Sequence, residues 1–62
     1  MKVSKENAAA WFRNIGYKAE VENGVVIVYL DMDDFLSAKA KRTIGQTLCS
    51  IGYTGSWGIK PK

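Results

Sequence analysis

The sequence contains no histidine. It therefore lacks the commonest general base and the commonest side-chain metal ligand. It has one cysteine, Cys49, so no disulfide can form within the chain, and a reducing cytoplasm is the expected setting. Long apolar runs are missing as well. The longest, Val25 to Leu30, falls far short of the ~20 residues a membrane helix needs. The opening MKVSKENAAAWF has no apolar stretch long enough for a signal peptide. Charge of one sign is also scarce. A net charge of +3 is compatible with an acidic partner but lies far below the density of a dedicated nucleic-acid binder. No phosphate loop, nucleophile–base pair or metal constellation is visible. Neither an enzyme nor a cofactor is expected.

What remains is a chain of 62 residues, expected to form one domain over residues 1–62. A chain this short buries about 60% of its unfolded surface. One core of that size supplies only ~3–5 kcal/mol of net stability. An apolar fraction of 47% argues against disorder.

Ser4 is placed to cap a helix, with Val3 before it as a staple against Ala8. Ala8, Trp11, Phe12 and Ile15 follow at helical spacing and predict an apolar stripe on a helix from about Lys5 to Ile15. Gly16 suits the left-handed position that ends it. In YKAEVENGVVIVYL, Asn23-Gly24 between two strand-like runs is a strong hairpin signal. That turn fixes a register. Val21 faces Val26, Ala19 faces Val28 and Tyr17 faces Leu30 on one side. Glu22 with Val25, Glu20 with Ile27 and Lys18 with Tyr29 share the other.

A second helix is predicted from LDMDDF onward, capped by Asp31 or Asp33, with Asp34 in its first turn. Leu36, Ala40, Ile44, Leu48 and Ile51 predict one continuous stripe along it. Gly45 weakens this helix by about 1 kcal/mol relative to alanine and suggests close packing. Gly52 ends it. TGSWGIKPK then reads as a last strand, with Trp57 and Ile59 on one face and Pro61 as its stop.

One phrase occurs twice. NIGY, Asn14 to Tyr17, returns as SIGY, Ser50 to Tyr53. With Ile15 aligned on Ile51, Phe12 falls on Leu48, Gly16 on Gly52, Tyr17 on Tyr53 and Val21 on Trp57. Each copy predicts a last core contact of a helix, a glycine reversal and a tyrosine that opens a strand. The repeat is architectural punctuation.

The fold class expected is α+β in the order α-β-β-α-β, with two helices on one face of a three-stranded sheet. A right-handed crossover through the second helix makes the last strand parallel to the second. In topology and in its helix-GY-strand punctuation the chain resembles a ferredoxin-like domain lacking a full first strand. Met1-Lys2-Val3 is barely long enough to supply that strand. It is similar in that respect to heavy-metal-associated domains. Their CxxC metal loop is absent, so metal transport is not implied.

Asp31, Asp33 and Asp34 would suit a hard cation, but capping and dipole compensation account for them and no metal is expected. Cys49, with no histidine to activate it, reads as a small, partly buried residue near a helix end. Lys39, Lys41 and Arg42, joined by Lys60 and Lys62, form a candidate basic patch for nucleic acid, with Tyr29 or Tyr53 as stacking platforms. The alternative is a solvated helix face. The least expected feature is Val25, Ile27 and Tyr29 on the sheet face away from the helices. Such a row suggests a contact surface, although strand propensity and the stems of Lys18 and Glu20 offer a structural account. The leading expectation is a cytoplasmic binding module with a protein partner or a weak homodimer, meeting it through this face or a strand edge. Weak nucleic-acid binding is the alternative, and no membrane association is expected.

Overall fold

The Ser4 hydroxyl accepts from the Asn7 N–H at 3.1 Å and opens the first helix. The computed structural model describes residues 3–62. It contains α1 (Lys5–Asn14), β1 (Lys18–Glu22), β2 (Val25–Leu30), α2 (Met32–Phe35), α3 (Ala38–Ser50) and β3 (Trp57–Pro61). This is the α+β order expected, with the second helical stretch divided in two. A first strand at Met1-Lys2 lies outside the described residues. Val3 packs against the core cluster that contains Ala8, and its N–H reaches the Gly52 carbonyl at 3.3 Å.

The repeated phrase is a Schellman motif used twice. Gly16 N–H bonds to Arg13 O at 3.1 Å and Tyr17 N–H to Phe12 O at 3.0 Å. Gly52 N–H bonds to Cys49 O at 3.1 Å and Tyr53 N–H to Leu48 O at 2.9 Å. Both glycines are left-handed, φ 103° and 90°, where a side chain would be strained. The two tyrosines then diverge. Tyr17 stays exposed and meets Phe12 edge-to-face at 5.7 Å. Tyr53 does not open a strand. It turns into the core, and its hydroxyl donates to Ser56 O at 2.5 Å, closing the loop before β3 begins at Trp57.

Asn23 and Gly24 both have positive φ, 53° and 77°, as a type I′ turn requires. The β1–β2 register is the expected one from Lys18↔Tyr29 to Glu22↔Val25. Tyr17 lies just outside β1, so its pairing with Leu30 does not form. β3 pairs directly with β2, in parallel, and the sheet order is β1-β2-β3. No strand intervenes, so only the two outer edges are open.

One core joins α1, α3 and one sheet face. It consists of Ala8, Ala9, Phe12, Ala19, Val26, Val28, Leu30, Ile44, Leu48 and Tyr53. In α1 the stripe is narrower than expected. Ala9 replaces Trp11 and Ile15, which are exposed. Trp11 lies edge-on to Phe12 at 5.4 Å at the margin of the stripe, and Ile15 is already the C-cap.

The second helix is not continuous. Asp31 stands at its N-cap without a side-chain capping bond, and the first segment ends at Phe35. Ser37 caps α3 through its hydroxyl, which accepts from Ala40 N–H at 3.3 Å. The break turns Leu36 outward, 74% exposed, so the stripe begins after it. Ile44 and Leu48 are buried, while Ala40 and Ile51 are half-buried. A Cβ on Gly45 would come 3.0 Å from the Trp57 indole, so this glycine seats the ring, as its place in the helix suggested.

Candidate interaction surface

The hairpin register places Val25, Ile27 and Tyr29 opposite Glu22, Glu20 and Lys18, on the sheet face away from the helix-side core. The orientation is the expected one, but the accessibility is not. Val25 and Tyr29 are half-buried, and Ile27 is only 8% exposed. The expectation of an open apolar row is therefore corrected at Ile27.

The cover is polar. The Tyr29 hydroxyl donates to Glu22 Oε2, and Lys60 Nζ meets Glu22 Oε1 at 3.1 Å. Tyr29 and Lys60 are register partners on β2 and β3, whereas Glu22 pairs with Val25. Both links thus cross the row that contains Ile27. Lys18 Nζ adds a cation–π contact, 5.1 Å from the Tyr29 ring centroid. Gly58, the β3 partner of Ile27, leaves room beside it, since a Cβ there would lie 3.5 Å from Ile27 Cδ1. The hydrogen bond from Tyr29, then Lys60, holds the Glu22 carboxyl below its ordinary range. The same bond to Glu22 is the main reason the Tyr29 phenol is pushed up to about 12. Glu22 as the hub of this roof was not visible in the sequence, because the register of β3 was not.

The basic residues separate. Lys60 joins Glu22, and Lys62 lies 3.6 Å from Asp31 in an exposed pair. Lys39, Lys41 and Arg42 are exposed on α3 and have no acidic partner among the described residues. Lys39 shares a cleft of about 240 Å³ with Tyr17, Asp34, Ser37 and Thr43, floored by Leu30, Ala40 and Ile44. Tyr53 is buried and its hydroxyl engaged, so it is no stacking platform. Asp31, Asp33 and Asp34 are exposed, and no group of three metal-ligating side chains is assembled among the described residues. Cys49 is exposed rather than partly buried, because it sits one position round the helix from buried Leu48.

The two sheet edges differ. A two-residue I′ hairpin closes on a hydrogen-bonded pair, here Glu22 and Val25, and such pairs alternate along the ladder. The backbone groups of Ala19 and Val21 therefore point away from β2. Arg13 of α1 occupies one of them, its Nε donating to Ala19 O at 2.7 Å. On the other edge, Val26 N–H bonds to Ser56 O at 3.2 Å and Lys62 N–H to Leu30 O at 2.9 Å. Parallel alternation between these bonds turns Gly58 and Lys60 inward, and Trp57, Ile59 and Pro61 outward. Pro61 has no N–H to offer, which is why a sheet edge tolerates it.

No described helix is long and apolar enough to cross a membrane. No protein-family model matches the chain, and neither a curated protein nor a solved structure does.

Proposed function

We propose that the chain is a non-enzymatic binding module of the cytoplasm whose partner is another protein, met on the outer sheet face or at a strand edge. The observation that carries the reading is one-sided cover. The helices pack on one face of the sheet, and among the described residues the other carries the side chains of Tyr29, Glu22 and Lys60, with Lys18 over the Tyr29 ring. Val25 and Tyr29 remain partly accessible beside Lys18 and Glu20, an aromatic and aliphatic centre with a charged rim. The ion pair in the roof is exposed and contributes little, so a partner displaces it at small cost.

Immobilised protein, exposed to a lysate of the source cells, is expected to retain a protein at low and at high salt and to lose it on Val25→Lys. Retention of nucleic acid alone, stripped by salt, is the opposite result.

That opposite result is the second reading. It is favoured by the unpaired Lys39, Lys41 and Arg42 and by the cleft that Lys39 shares with exposed Tyr17. A phosphate would meet Lys39 while a base stacks on Tyr17. Under this reading, changing all three basic residues to glutamine abolishes oligonucleotide binding and its salt dependence. If the unaltered protein binds no oligonucleotide at low salt, this second reading falls.

A further inference from the structure

The unequal edges carry an inference that rests on the protein-partner reading and names the partner. We infer that two copies of the chain join along the outer edges of β3, forming one continuous six-stranded sheet from two three-stranded ones. The outward groups are the N–H and C=O of Trp57 and Ile59, which the β2–β3 ladder does not use. They are two residues apart, with Gly58 between. An antiparallel second copy centred on Gly58 sets Trp57 against Ile59 of the other chain, and Ile59 against its Trp57. Each pair exchanges two backbone bonds. One two-fold axis satisfies both pairs, which is the self-complementarity an isologous dimer needs.

The side chains agree with this register. Trp57 and Ile59 lie half-buried on the helix side, so each gains an aromatic–aliphatic cross-strand neighbour. On the other face the axis passes Gly58, where no side chain intrudes. Lys60 falls opposite Ser56 of the other copy, so like charges do not meet. Pro61, without an N–H, ends the register. The β1 edge is partly closed by Arg13, so pairing stops at two copies.

The test uses the full chain made by chemical synthesis, with the Ile59 amide N-methylated. Ile59 N–H points away from β2, so the methyl leaves the internal ladder intact. In sedimentation, the unmodified chain is expected to climb toward twice its monomer mass with concentration. The methylated chain is expected to associate at least about tenfold more weakly, having lost one backbone bond from each copy. Its melting curve in dilute solution should be unchanged. A second variant guards against misfolding. Gly58→Cys, in a Cys49→Ser background, places the thiols at the axis, where paired Cα atoms are about 4.5 Å apart, within disulfide reach. It should oxidise to a covalent dimer faster than Glu20→Cys in the same background. A chain that stays monomeric when concentrated, association unaffected by the methyl group, or cross-linking no faster than at position 20 each overturns the inference. A monomer that still retains a foreign protein from lysate removes the second copy and leaves the module reading standing. A chain that does neither removes both.

Discussion

Glu22 accepts from Tyr29 and from Lys60 with one carboxylate, so its charge state decides whether the roof over Ile27 stands. Its folded pKa is lowered. Its contribution is therefore complete above the ordinary carboxyl range and is lost as pH falls through the folded value. Tyr29 has the opposite sign. Its pKa is raised to about 12, so its contribution is complete below about pH 10 and is lost between there and pH 12. Tyr29→Phe should flatten both limbs of a melting-temperature profile taken from pH 3 to pH 12. Tyr53, whose phenol is pushed up mainly by burial, should keep part of the alkaline limb. A profile unchanged by Tyr29→Phe would mean that the bond to Glu22 contributes nothing. Gly45 makes a second residue-level case. Alanine there gains helix propensity but sets its Cβ 3.0 Å from the Trp57 ring. Valine adds branches to that contact, and Gly45→Val is expected to lower stability by about 1–3 kcal/mol in a chemical melt. A neutral effect would show that the indole moves aside freely.

The hairpin was legible because one turn fixes every cross-strand pair, and Asn23-Gly24 names that turn. The glycine reversals were legible because Gly16 and Gly52 follow the last apolar residue of their helices at the same spacing. The helix break was not, since Leu36 continues the apolar spacing of Ile44 and Leu48 and so conceals the cap at Ser37. Two nearby caps compete here. Asp31 starts a turn without a side-chain bond, and Ser37, whose hydroxyl does bond, starts the long helix. Nor was the destination of Tyr53 legible, because the same Ile-Gly-Tyr ends both helices and the difference lies in the loop that follows. The break makes a prediction that separates it from a continuous stripe. Leu36→Lys should change stability by no more than about 0.5 kcal/mol, as for an exposed site. Leu48→Ala should cost about 2–5 kcal/mol, and Ser37→Ala about 1 kcal/mol through the lost cap. Denaturant melts of the three variants rank them. If Leu36→Lys is as damaging as Leu48→Ala, the helix runs unbroken through Ser37.

Across the whole molecule, the sequence named the right sheet face but overstated its openness. Alternation fixes which way a side chain points. Cover over Ile27 depends on Lys60, thirty-eight residues from Glu22 along the chain, and on a β3 register that no local signal encodes. The same long-range logic governs the edges. A three-stranded sheet has two free edges, and each is a template for further strands. Here β3 ends in Pro61, and β1 has the Arg13 guanidinium on Ala19 O at 2.7 Å. If β3 edges join two copies, both β1 edges lie at the ends of the combined sheet, and Arg13 decides whether growth stops there. Arg13→Ala frees the outward groups of Ala19 alongside those of Val21. Joined alternately through β3 and β1 edges, such chains have no closing symmetry and extend without limit. In the antiparallel register that pairs Ala19 with Val21 of the next copy, Lys18 meets Glu22 and only Glu20 faces itself, so like charge does not bar this growth. The folded monomer should lose only about 1 kcal/mol with the one hydrogen bond. Light scattering should then show the unaltered chain reaching a plateau at the dimer, while Arg13→Ala passes it and keeps rising. If both proteins reach the same plateau at every concentration and salt, the arginine is not what closes the β1 edge.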